Sequence, residues 1–297
     1  MSSLLPLALF HLLASVAAAA LLATVAKSLR ARRPSLPWIW ITLCGAVVLP
    51  ACHLCLAGVL TYRFGPNHFF LLQLLAHGLF AQLPLFLLAT AALATRRRSR
   101  AIALTATTAA ASLLAVAAYA FLVEPFRLEV SRHRVATAKL DAALRVVLVA
   151  DLQTDRIGDY ERRVLATIAD LDPDLLLFAG DYIHLNPGPG RVESIDELNR
   201  QLRDLDLGGR LGALAVRGNC DGLEWPAVFA GTRIRPVRQD ERIDLGPVSV
   251  SALSVPTSRS GRSLAPAPGF HIALGHHPDF ALGEIEADLL LPGHCHG

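Results

Sequence analysis

At 297 residues, with 28 Lys plus Arg against 25 Asp plus Glu, the chain carries a net charge of only +3. A hydrophobic share of 53%, a charged share of 18% and a mean hydropathy of +0.43 exclude a soluble enzyme over the whole length. The mild basicity also lacks the gathered Lys/Arg face that a nucleic-acid partner requires, so none is expected.

The average hides two regimes. Up to about Val123 the sequence is rich in Leu and Ala, with its charges in short clusters; beyond Glu124 charges recur every few residues. The expected organisation is therefore a transmembrane region over 1–123, a linker with a leading strand over 124–143 and a folded domain over 144–297. A bilayer core needs about 20 apolar residues in helical form, because lipid leaves exposed backbone groups unsatisfied. Four segments reach that length: Leu4 to Leu29, Trp38 to Leu60, Phe69 to Ala94 and Ala101 to Val123. The first reads as a retained anchor, since its basic cluster follows the apolar run. His53, His77 and Gln73 in or near these spans read as hydrogen-bonding contacts between helices.

Positive charge sets the expected orientation. Lys27, Arg30, Arg32 and Arg33 separate the first two spans, and Arg96, Arg97, Arg98 and Arg100 separate the last two, whereas the middle loop carries only Arg63. With both basic loops in the cytoplasm, the domain after Val123 faces the opposite side. A bacterial inner membrane with a periplasmic or exterior domain is the expected location, with the lipid bilayer itself as partner.

In the second half, Leu144 to Ala150 (LRVVLVA) is a β-branched run that reads as a doubly buried strand and ends at Asp151. A helix from about Tyr160 follows, with Val164, Ile168 and Leu171 at helical spacing, until Asp172-Pro173-Asp174 stops it. Leu175 to Phe178 is a second buried strand ending at Gly180-Asp181. Ser194 with Glu197 reads as a capping box ahead of another helix, and the Pro/Gly-rich stretch Asn186 to Gly190 reads as a loop. Leu214 to Val216 leads to Gly218-Asn219-Cys220-Asp221. After a hairpin across Ile243 to Leu253, His271 to Leu274 reaches Gly275-His276-His277, and Leu289 to Leu291 reaches Gly293-His294-Cys295-His296.

Five apolar strands thus each end in a short loop bearing Asp, Asn or His. Carboxyl ends of strands in α/β folds converge on the edge where ligands bind. Oxygen and imidazole donors brought to one edge by separate loops describe a metal site.

In this order, the five motifs resemble those of the calcineurin-like metallophosphoesterases, in particular a membrane-associated bacterial branch. The resemblance implies a β-sandwich flanked by helices. Because the chain stops directly after His296, the expectation is either a fragment or a second sheet that lacks its last strands. It implies two divalent ions (Mn, Fe or Zn), one held by Asp151, Gln153, Asp181 and His296, the other by Asp181, Asn219, His276 and His294. It also implies hydrolysis of a phosphate mono- or diester or anhydride by metal-activated hydroxide, with Asn219, Cys220 and Asp221 as catalytic residues and Asn219 and Arg217 touching the phosphate. Two positions depart from the family pattern, which has His where Gln153 and Cys220 stand. An amide oxygen is a weaker donor than imidazole to a borderline metal. A thiol is a poor proton donor near pH 7, which favours substrates with a good leaving group.

Plainer readings stand beside these. Arg156, like Arg217, is either a phosphate contact or a solvated surface residue. His277 reads as a variable loop position, and Cys220 has no visible base that would make it a nucleophile. A phosphorylated small-molecule or lipid-linked compound is the expected substrate. The rivals are a catalytically weak membrane sensor or binding module, and a transport protein with a regulatory appendage.

Overall fold

The computed structural model describes residues 4–30, 37–64, 68–154, 156–184, 188–260, 267–283 and 286–295. It divides into two compact units, Met1–Arg127 and Leu128–Gly297.

The first unit is helical. Helices α1 (Leu4–Arg30), α2 (Pro37–Phe64), α3 (His68–His77), α4 (Leu83–Arg96) and α5 (Arg100–Ala118) follow one another, with one π-helical stretch, Gly78–Gln82, joining α3 to α4 and another, Tyr119–Val123, following α5. Among the described residues, three stretches are long and apolar enough to cross a membrane: Leu5–Thr24, Phe70–Arg96 and Arg100–Phe126. The second expected span is helical, but its described apolar part, Val47–Arg63, is shorter. Buried alanines let the helices approach closely: Ala14 and Ala18 of α1, Ala57 of α2, Ala91 and Ala94 of α4, and Ala106 and Ala110 of α5. Leu5, Val16, Leu104 and Leu122 are left exposed, an unfavourable arrangement in water and a neutral one in hydrocarbon.

The polar contact between these helices differs from the expected one. Gln73 is exposed, whereas Gln82, at the end of the π-helical stretch, hydrogen-bonds His11 Nδ1 at 2.9 Å and Ser15 Oγ at 3.5 Å. The wider π turn brings an amide inward that sequence periodicity places elsewhere.

The second unit pairs two four-stranded sheets. The first, in order β1 (Val146–Val149), β2 (Leu175–Phe178), β3 (Gly212–Ala215), β4 (Ile234–Pro236), is parallel throughout. The second runs β5 (Glu241–Asp244), β6 (Val248–Ala252), β7 (Phe270–Gly275), β8 (Leu289–Pro292), with only the β5–β6 hairpin antiparallel. Strand β2 shows why the layers form. Leu175 and Leu177 join the core shared with Val250, Ile272 and Leu274 of the second sheet, while Leu176 and Phe178 face Leu165 and Ile168 of α6 (Asp159–Asp170) and Leu198 and Leu202 of α7 (Pro189–Asp204). Period-2 alternation in an all-apolar strand buries both faces at once.

Two local expectations are corrected. Helix α7 starts at Pro189 with Gly188 at its N-cap, so Ser194 lies inside the helix and not at its start. Pro at the first helical position has its φ already set and no N–H to satisfy, so the helix begins earlier than the capping pattern suggests. The leading strand expected within 124–143 is replaced by a short 3-10 turn, Glu124–Phe126, followed by irregular chain. Leu128, Val130 and Val135 there are all exposed, so no buried face holds a strand in place.

Candidate metal centre

Register decides which residues meet. Val149 pairs with Phe178 and Phe178 with Ala215, so the chain leaves β1, β2 and β3 along one edge at Asp151, Asp181 and Gly218-Asn219. Gly275 pairs with Pro292, which delivers His276 and His294 side by side from the second sheet. The pairing continues past the strand ends, with Asp151 N–H donating to Gly180 O at 3.0 Å, Gln153 N–H to Asp181 O at 2.9 Å and Gly293 N–H to His276 O at 3.0 Å. Bonds between the motif loops of the two sheets include His276 Nδ1 to Ala179 O at 2.8 Å and His294 N–H to Asp151 Oδ2 at 2.7 Å.

The backbone is strained where the donors sit. Asp151, Gln153, Asp181 and His294 are four of the seven described non-glycine residues with positive φ, at 54°, 37°, 59° and 69°. Such conformations cost about 1–3 kcal/mol each and concentrate at functional sites. Gly218 is required by contact, since any Cβ there would overlap the Asp181 carboxylate.

Ligand atoms of Asp151, Asp181 and His276 lie within 4.8 Å of one another, as do those of His276, His277 and His294. Asp181 is fully buried. Its Oδ1 accepts the Cys220 N–H at 2.8 Å, and its Oδ2 accepts Gln153 Nε2 at 2.9 Å and lies 3.4 Å from His276 Nε2. Burial pushes this carboxyl up, but the bonds and charge of His276, with Cys220 and Gln153, outweigh it and hold the group well below the usual carboxylate range. Burial pushes His276 down, and Asp181 more than reverses that, so its pKa is raised.

The donor set itself tests whether a cation fits. The Ala179 carbonyl only accepts, so His276 carries its hydrogen on Nδ1 and turns the Nε2 lone pair toward Asn219 Oδ1 at 2.8 Å and Asp181 Oδ2 at 3.4 Å. Imidazole, amide and carboxylate acceptors facing one point demand positive charge there, as a proton or a metal ion. These residues fit a divalent cation.

Other expected site residues are placed as follows. Gln153 reaches the cluster through its amide nitrogen, which also lies 3.9 Å from Cys220 Sγ. The Cys220 thiol, desolvated and beside the Asp181 charge, is pushed up to about 12, and Cys220 and Cys295 are both free thiols. Asp221 faces inward, its carboxylate accepting the N–H groups of Asp181, Tyr182 and Gly218 at 2.8, 2.9 and 2.8 Å. Arg217 bends back on its own loop, with Nε and Nη2 donating to Asp221 O at 3.1 and 2.7 Å. Arg156 lines a separate groove with Glu193 and Glu197. His296 lies outside the described residues.

Three supporting residues escape the sequence reading. Arg191 is buried and ties two motif loops together, donating to Ile183 O at 3.2 Å and Cys220 O at 3.3 Å and pairing with Glu224 at 2.6 Å. Tyr182 donates to Val216 O at 2.6 Å. His277 is buried, its ring centroid 4.0 Å from that of His294, where a variable loop position was expected; burial, with His294 and Arg259 nearby, lowers its pKa to about 4. Only the adjacency of His277 to His276 signalled a role.

Among known families, the calcineurin-like phosphoesterase model matches residues 144–294. No curated protein matches the chain.

Proposed function

The chain belongs to the calcineurin-like phosphoesterase family, and we propose that it is a membrane-anchored, metal-dependent phosphoesterase that hydrolyses a phosphate mono- or diester or anhydride outside the cytoplasm. The observation that carries this reading is the convergence of Asp151, Asp181 and His276 donor atoms within 4.8 Å. Asp151, Gln153, Asp181 and His296 would hold one divalent ion, and Asp181, Asn219, His276 and His294 the second, with Mn, Fe or Zn all suited to the donors. When bound, such a pair supplies a clamp for phosphoryl oxygens and an acidified water as nucleophile.

The chain's own residues divide the remaining work. Asn219 is exposed at the mouth of the cluster, where its amide can meet the phosphoryl group. Asp221 acts by position, since its three backbone bonds fix the turns that aim Asp181 and Asn219. Cys220, a neutral thiol, is a weak proton donor to a departing oxygen, which favours diesters and anhydrides over alkyl monoesters. Arg217 stabilises its loop.

Three long apolar stretches support anchoring in a membrane, which in this reading is a bacterial inner membrane with α2 as a fourth span and the substrate close to the bilayer. The arginine-rich loops orient the phosphoesterase domain toward the periplasm or exterior. A phosphorylated small molecule or a lipid-linked phosphate is the substrate class, and the mild net charge gives no support to a nucleic-acid partner. The test is hydrolysis of bis-p-nitrophenyl phosphate by the full-length protein in detergent with added Mn. Turnover is expected. Metal binding without turnover would overturn the enzyme reading in favour of a sensor or binding module, an alternative supported by Gln153, which turns its amide nitrogen rather than its oxygen toward Asp181.

A further inference from the structure

The exposed arginine next to the histidine cluster is Arg259, which directly follows α8 (Val255–Ser258). Its Nε donates to His277 Nε2 at 2.8 Å. An arginine keeps its protons in proteins, so His277 must accept at Nε2 and carry its own hydrogen on Nδ1. His277 is thereby a neutral ring whose Nε2 is already engaged, and it is not available as a third imidazole ligand beside His276 and His294.

That ring is itself held firmly. His277 is 4% exposed, its backbone N–H donates to Ser258 Oγ at 3.3 Å, and its ring lies 4.0 Å from the His294 ring, centroid to centroid. The guanidinium is thus pinned by one nitrogen, a single imidazole away from His294. Among the described residues nothing accepts from its two terminal nitrogens, which form a planar fork suited to two oxygens of one phosphate. The contrast with Arg217 is direct, since that guanidinium is already committed to the Asp221 carbonyl.

We propose that Arg259, positioned by His277, binds the phosphate group of the substrate at the metal centre. The inference rests on the phosphoesterase reading for its substrate and on the Arg259–His277 bond for its geometry. Inorganic phosphate, with the oxygens of the substrate and none of its remainder, is the probe that reads Arg259 without turnover.

The experiment compares wild type, Arg259→Ala, Arg259→Lys, His277→Ala and the Arg259→Ala/His277→Ala double variant, all full-length in detergent and loaded with Mn. Phosphate affinity is measured by calorimetry, KM and kcat with bis-p-nitrophenyl phosphate, and metal content by elemental analysis. Losing a charge-assisted fork should weaken phosphate binding and raise KM about 10- to 100-fold, with kcat little changed and metal content intact. Lysine should restore part of the loss, and the double variant should be no worse than Arg259→Ala, because His277 acts through the arginine. Unchanged phosphate affinity in Arg259→Ala overturns the proposal, as does a double variant whose losses add. Wild type that binds phosphate through Arg259 yet hydrolyses nothing would contradict the phosphoesterase reading alone.

Discussion

Asp181 and His276 share one position that a proton and a metal ion compete for. Because the Asp181 field raises the pKa of His276 above its usual 6.5, cation affinity should fall as pH drops through that raised value, and metal uptake should release a proton. Titrations in buffers of different ionisation enthalpy read this directly; uptake independent of pH between 6 and 8 would contradict it. In the cation-free chain the same pair sets a stability window. The raised His276 contributes fully below 6.5 and loses its contribution as pH rises through the folded pKa. The depressed Asp181 contributes above its usual 3.8 and loses its contribution only as pH falls through the folded value. Both contributions are complete between those two reference values. Asp221 answers to a different measurement. Replacing it with Ala strips three buried amides of their acceptor, and we expect a loss of about 3 kcal/mol or more, a fall of about 6–12 °C in Tm. A Tm within about 2 °C of wild type would show that the three bonds do not hold the turns.

At the scale of elements, β2 is the strand on which both layers depend, and Leu177 is fully buried in the core between the sheets. Leu177→Ala should cost about 2–5 kcal/mol through lost transfer and an unfilled cavity. Circular dichroism melts test this, and a change below about 1 kcal/mol would mean that the sheets are not packed through β2. The strands were legible in the sequence because VVLVA and LLLFA are apolar at every position, and an aspartate that cannot continue the core follows each within two residues. Helix α7 was misplaced because Pro189-Gly190 suggests a turn, while Pro is equally at home in the first helical turn. The support given by Arg191, Tyr182 and the Arg259–His277 bond was not legible in the sequence. Each depends on partners many residues away that only the register of the sheets brings into reach.

For the whole molecule, composition alone separated an apolar helical part from a charged α/β part, since burial in water and in hydrocarbon select opposite surfaces. The proposed orientation rests on charge clusters in the sequence alone. A carboxy-terminal alkaline phosphatase fusion should be active in cells and the corresponding green fluorescent protein fusion dark; the reverse pattern would place the domain in the cytoplasm. The most direct measurement is the metal content of purified full-length protein beside Asp181→Ala. Close to two divalent ions per chain in the wild type, with both lost or sharply reduced in the variant, is the expected result. Equal metal content in the two proteins would contradict a centre built around Asp181.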